Sequence, residues 1–257
     1  MKIDKRKNYI LMLDTETANT IEEENGLNMD DVLFYDCGWA VIDKWGNVYQ
    51  TASYVNRDIF VYERDLMHSA YYAKKIPQYV DDIRAGRRKL ADLYEIRRAM
   101  IETINLFGIK VVCAHNARFD ANALNRTRCF ISKSKYRYWF PFDSVEWWDT
   151  MKMARSVVAK MPSYIKFCEQ NKYLTKTGKP KITAEVLYRF IKKDDRFVES
   201  HTGLEDVMIE KEILVYCYRQ HKSMEKALWD EKREFPQSTE FQKQLMISLK
   251  NRPVLRM

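Results

Sequence analysis

The 257-residue chain sets 44 Lys and Arg against 36 Asp and Glu, a formal charge of +8 with a pI near 9.1, which favours a polyanionic partner. A mean hydropathy of −0.52, a polar start (Met1-Lys2-Ile3-Asp4-Lys5-Arg6-Lys7) and no apolar run near the ~20 residues of a bilayer span exclude a membrane-spanning reading, and a soluble, cytoplasmic protein with no membrane partner is expected. Cys37, Cys113, Cys129, Cys168 and Cys217 form no C-x-x-C pair, so dithiol and zinc chemistry give way to buried free thiols.

In chain order, Tyr9 to Leu13 is a short apolar run, the pattern of a central strand buried on both faces. The polar stretch from Ala18 to Asp31 reads as a loop. Phe34 to Ile42 and Val48 to Val55 flank the turn residues Gly46 and Asn47, which predicts an antiparallel hairpin and, with the first run, a three-strand meander. A helix is expected between Ser69 and Arg84. Leu93, Ile96, Met100, Ile104 and Phe107 step by three or four along one helical face, and Gly108 stands where that helix would stop. Ile109 to Ala114 is the next strand, a parallel addition to the sheet, with a helix starting near Asn116. Asp149-Thr150 opens another helix, Asn171 to Lys181 reads as a loop, and two amphipathic helices cover Ala184 to Ile191 and Leu204 to Gln220. Past His221 the chain is charged, first helical in pattern and then, beyond Pro236, loosely held.

Three segments carry chemistry. Asp14 and Glu16 sit two apart at the end of the first strand, so their carboxylates point to one side and repel unless a cation lies between them. Asn116 is placed to cap a helix that carries Asp120 one turn in, where the helix dipole alone would also favour an acid. His115 beside it reads as a packed core histidine. Thr202-Gly203-Leu204-Glu205 matches a capping box, which sets His201 and Asp206 at the two positions that meet across a helix start. Taken together, four acids and one titratable base read as a divalent-metal cage for phosphodiester cleavage.

In this order the segments resemble the DEDDh branch of the DnaQ-like 3′-to-5′ exonucleases, proofreading epsilon-subunit-like members of the ribonuclease H-like superfamily. The resemblance covers Tyr9 to Gln220. Thr202 stands where the sister branch has tyrosine, which favours the histidine branch. The resemblance implies an α/β fold with a mixed five-stranded sheet, an antiparallel three-strand meander plus parallel strands, flanked by helices. It implies an exonuclease domain over 1–220 with a helical insertion near 56–89, followed by a charged, partly helical extension over 221–257. It further implies Asp14, Glu16, Asp120 and Asp206 as ligands of two Mg²⁺ or Mn²⁺ ions and His201 as general base. Thr17, Ala18, Asn116 and Phe119 would meet substrate, and Asp149 would support the site from behind. Ala18 replaces a glycine common in the family. The implied substrate is a single-stranded 3′ end, DNA ahead of RNA, with release of nucleoside 5′-monophosphates. An RNA-trimming exoribonuclease is one alternative; a non-catalytic subunit that binds nucleic acid or a polymerase is another. Lys133 to Phe140 interleaves cations with aromatics and is a candidate strand-tracking surface, as are Lys172, Lys176, Lys179 and Lys181.

Overall fold

The computed structural model describes residues 3–4, 6–18, 22–23, 26–27, 32–135, 137–141 and 144–229. Its strands are β1 (Ile10–Ala18), β2 (Glu22–Glu23), β3 (Gly26–Leu27), β4 (Leu33–Ile42), β5 (Val48–Asn56), β6 (Lys89–Ala91), β7 (Val111–Ala114) and β8 (Glu146–Asp149). Its helices are α1 (Arg57–Phe60), α2 (Arg64–Ser69), α3 (Ile76–Arg84), α4 (Leu93–Phe107), α5 (Ala117–Ser132), α6 (Thr150–Val157), α7 (Pro162–Gln170), α8 (Ala184–Lys192) and α9 (Gly203–Arg219), with a 3₁₀ turn at Ala73–Lys75. Among the described residues no helix is long and apolar enough to cross a membrane.

One mixed sheet runs in the order β6-β5-β4-β1-β7-β8. β1, β4 and β5 are the expected antiparallel meander, and β7 adds parallel to β1. The sheet has six strands instead of five. The two at the edges are short: β6 ends the insertion with three residues parallel to β5, and β8 adds four residues parallel to β7. Runs that brief, with Trp147 and Trp148 in one and Lys89 in the other, show little of the two-residue alternation that marks a strand in sequence. The loop expected over Ala18 to Asp31 contains the small β2–β3 pair, and its remaining central part, like everything past Pro236, lies outside the described residues. Residues 222–229 form no helix. Ala227 bridges Trp148, and Asp149 N and Leu228 N donate to Lys226 O and Trp147 O, so this segment covers the β8 edge.

Strand alternation decides what faces what. On β1, Leu11 and Leu13 pack with α4 and α5 on one side of the sheet, while Ile10 and Met12 pack with α6 to α9 on the other. All four are buried, which is why β1 reads as a continuous apolar run. The parity of Ile10 and Met12 continues into Asp14 and Glu16, and a register shift after Glu16 breaks the pairing with β4. On β4 the same face carries Ala40, Gly38 and Asp36, so α9 packs over both strands. α4 behaves as its sequence predicts, with Asp92 accepting from Glu95 N at its start and Gly108 (φ 63°) ending it.

The start of α9 lies directly on β4. A Cβ on Gly38 would fall 2.2 Å from Leu204 N and 2.4 Å from the Gly203 carbonyl carbon, and one on Gly203 would fall 2.7 Å from Gly38 N. Two bare backbones therefore set the depth at which α9 sits. Gly203 N also donates to Asp36 Oδ2 at 2.9 Å, and buried Arg88 ties Asp36, Asp82 and Glu205 together. Gly38→Ala is expected to destabilise by about 3 kcal/mol or more, since backbone cannot yield as a side chain tip does. Urea unfolding at constant m measures this; a loss under about 1 kcal/mol would contradict the close approach.

Candidate active site

The carboxyl ends of β1 and β7, the one central and the other its parallel neighbour, open onto a cleft of about 550 Å³. Asp14, Glu16, Asp120, His201 and Asp206 all line it, together with Thr17, Asn116 and Phe119. β1 supplies the first two, α5 supplies Asp120, and the start of α9 supplies Asp206. The ligand atoms of Glu16, His201 and Asp206 lie within 4.8 Å of one another, while Asp14 and Asp120 line the cleft outside that tight group.

Two of the acids are held by hydrogen bonds. Asp120 Oδ1 accepts from Thr15 N at 3.0 Å and Thr15 Oγ1 at 2.9 Å, which locks α5 to β1. Asp206 Oδ2 accepts from Thr202 N at 3.1 Å and Oδ1 from Ser200 Oγ at 3.1 Å, so the acid folds the chain back over its own helix start. The expected capping box is therefore not formed. Glu205, its reciprocal partner, instead binds Arg88 at 2.8 Å, because a buried guanidinium attracts a carboxylate more strongly than one amide does. Asn116 sits at the start of α5, but in a left-handed conformation (φ 64°) and without a side-chain cap; its N–H donates to Asp149 Oδ1. Asp149 also caps α6 through Met151 N, so it joins the β7 exit to the β8 exit. His115 is a hydrogen-bonded histidine as expected, its ring between Thr150 Oγ1 and Ile182 O, both at 2.9 Å, though it also reaches the cleft wall.

Ala18 is placed differently from the other residues expected to meet substrate. It is fully buried in one cluster with Leu33, Tyr35 and Val55, on β1 beyond the register shift after Glu16, and does not line the cleft. The Lys133–Phe140 segment is divided, with Tyr138 exposed and its last two residues buried. Trp139 and Phe140 are 1% and 8% exposed and belong to the core beneath α4, with Trp139 N held by Asn125, and none of the segment's described residues lines the cleft. None of Lys172, Lys176, Lys179 and Lys181 lines the cleft; Thr183 and Ala184, which follow that loop, form part of the cleft wall.

The sequence reading missed Glu210. It lies one turn beyond Asp206 on the same face of α9, is 3% exposed, and accepts from His115 N through Oε2 at 3.2 Å. The i, i+4 spacing from Asp206 was the available signal. Glu199, Tyr71 and Tyr72 were also missed; the tyrosines come from the insertion, which carries no motif.

Burial sets the electrostatics. It is the first cause that raises Asp14, Glu16 and Glu210 well above the ordinary carboxylate range, and repulsion follows: Glu210 and then Asp120 act on Asp14, while Asp206 and Asp36 act on Glu16. Asp120 and Asp206 are pushed up to about 7, again by burial first. Mutually repelling buried acids with one imidazole are the donor set of a hard divalent cation such as Mg²⁺ or Mn²⁺, and the residues fit such a group. The sign of the linkage follows. The folded chain holds protons that the unfolded chain releases near pH 4, so metal-free protein loses stability as pH rises from about 4 to about 7. Thermal unfolding in chelator should give a lower Tm at about pH 8 than at about pH 5.5, with Mn²⁺ restoring more at the higher pH. An equal Mn²⁺ effect at both would contradict the raised carboxylates.

The sequence matches no protein-family model and no curated protein. Solved structures do match. The zinc-bound complex of E. coli ExoI with single-stranded DNA superposes with a TM-score of 0.51 at 14% identity, over 84% of this chain and 42% of that one. This chain thus spans less than half the length of ExoI. A 3′-exonuclease in specific recognition of a histone mRNA stem-loop gives 0.53 at 12% identity, over 85% and 84%. The nuclease domain of 3′hExo, a DEDDh family member bound to rAMP, gives 0.52 at 14% identity, over 87% and 98%. The chain shares the α/β fold of these solved structures, a mixed sheet flanked by helices, one of them being the nuclease domain of a DEDDh family member.

Proposed function

We propose that the chain is a metal-dependent 3′-to-5′ exonuclease that removes nucleoside 5′-monophosphates from single-stranded nucleic acid, DNA ahead of RNA. The observation that carries the reading is the convergence of Asp14, Glu16, Asp120, His201 and Asp206, drawn from 193 residues of sequence, on one cleft. In this reading Asp14, Glu16, Asp120 and Asp206 would hold two Mg²⁺ or Mn²⁺ ions, and Glu210 adds its negative charge to the same cleft. When bound, the ions supply the positive charge that lowers the pKa of water and offsets charge on the departing oxygen.

His201 is the base. Its Nδ1 faces Glu199 Oε2 at 4.0 Å, which leaves Nε2 to take the proton of the attacking water. Burial and then the Lys75 charge lower its pKa, so the ring is neutral and able to accept that proton at pH 7. Glu199 then steadies the imidazolium. The water oxygen bonds to phosphorus, the bond to the 3′ oxygen breaks, and that oxygen takes a proton as the shortened strand leaves. Thr17, Asn116 and Phe119 line the path of the terminal nucleotide, and the +8 charge favours its approach.

The test compares matched single-stranded DNA and RNA oligonucleotides, with products identified by mass. Mononucleotide release from DNA at the higher rate is the expected result. Faster release from RNA would reassign the substrate, a reading that the histone mRNA exonuclease neighbour favours; binding without release would leave a nucleic-acid-binding subunit.

A further inference from the structure

We propose that Tyr72 and Lys75, from the helical insertion between β5 and β6, form an arm that fixes the His201 imidazole in its proton-accepting geometry. The proposal rests on the exonuclease reading of this site. His201 needs such a hold. It lies outside regular structure between α8 and α9, in a left-handed conformation (φ 51°) that is unfavourable for a residue with a Cβ. Its side chain is 38% exposed, and Glu199, at 4.0 Å, lies beyond hydrogen-bond distance.

The arm supplies what the local chain lacks. The Tyr72 ring stacks on the imidazole with centroids 4.6 Å apart and planes inclined by 16°. The Lys75 ammonium donates to the carbonyls of both Ser200 and His201, the two residues whose backbone sets the direction of the ring. It also lies 4.9 Å over the Tyr72 ring, so the two parts of the arm brace each other. One contact limits the tilt of the imidazole and the other limits movement of its backbone.

The arm is itself anchored. Met67, Ala70 and Tyr79 are buried in one cluster with β1, β4 and β5 residues. Tyr79 donates to Asp36 Oδ2 at 2.7 Å, the same oxygen that accepts from Gly203 N at the start of α9. Arg88, at the end of the insertion, binds both Asp36 and Glu205. The insertion therefore registers β4, the start of α9 and the His201 loop against one another. Tyr72 and Lys75 act through His201 and are positioning residues, not catalytic ones.

The experiment uses the full chain: rates are taken on 5′-labelled single-stranded DNA with Mn²⁺, and the His201 ring protons, assigned by their loss in His201→Gln, are followed by NMR in separate metal-free samples, away from the paramagnetic broadening of Mn²⁺. Tyr72→Ala is expected to lower kcat about ten- to a hundredfold with KM within about threefold, because a misplaced base loses rate more than affinity. It should also move the ring-proton signals downfield as the stacked aromatic face is removed. Tyr72→Phe, which keeps the face, should restore both to within about threefold and near wild-type positions. Lys75→Met should lower kcat in the same direction, and carries the same readouts should Tyr72→Ala not fold. Unchanged kcat and unmoved signals in Tyr72→Ala and Lys75→Met would overturn the arm, as would a Tyr72→Phe variant as slow as Tyr72→Ala. Failure of the exonuclease reading looks different: the wild type releases no nucleotide, and the ring signals alone then decide whether Tyr72 and Lys75 hold His201.

Discussion

Asp14→Asn is expected to lower mononucleotide release by at least about 10³-fold while raising the Tm of the metal-free protein at about pH 8. Asn keeps the shape of Asp and removes only its charge. That charge sits where Glu210, Asp120, Glu16 and Asp206 all repel it, on a strand buried on both faces. Without a cation the ionised acid is a liability, and its removal relieves the fold. With cations it is one of the acids that would hold them, and its loss weakens the hold on the metal. The two effects have opposite signs, so lost activity cannot be mistaken for misfolding. Initial rates at saturating Mn²⁺, paired with thermal unfolding in chelator, check both. Activity within about tenfold of wild type would remove Asp14 from the site.

His201→Ala is expected to reduce the rate by about 10² to 10⁴, the range that a positioned general base supplies. The pH profile is the sharper readout. A histidine lowered by burial and by the Lys75 charge titrates below the ordinary value of about 6.5, so the acid limb of the wild-type profile should bend below that pH. Removing the ring should remove that limb. Metal affinity should change less than it does in Asp14→Asn. The imidazole lies within the same 4.8 Å group as Glu16 and Asp206, so a large loss of Mn²⁺ affinity in His201→Ala would reassign the ring from base to ligand.

The central part of the fold was legible because its signals are local. The continuous apolar run at Tyr9 to Leu13, the Gly46-Asn47 turn and the three-and-four stepping to Phe107 each follow from one element's own geometry. The acids at 14, 16, 120 and 206 stood out through spacing within their segments. What the sequence concealed depends on distant partners. Glu205 abandons the capping box because Arg88, 117 residues away, is buried within reach. Ala18 and the aromatics at 139 and 140 look like surface candidates until tertiary packing buries them. Gly38 means nothing in isolation, yet it admits the α9 backbone that carries Asp206 to β1. The insertion shows the limit most clearly. Residues 71–75 belong to no motif, yet they reach His201, which regular structure does not hold.

The most direct measurement is a time course on a 5′-labelled single-stranded DNA oligonucleotide with Mn²⁺ and with chelator, using wild type and Asp206→Asn. A ladder that shortens one nucleotide at a time from the 3′ end, present only for wild type with Mn²⁺, is the predicted result. A ladder that persists in chelator or in Asp206→Asn, or an intact oligonucleotide under every condition, would contradict a metal-dependent 3′-end nuclease in this cleft.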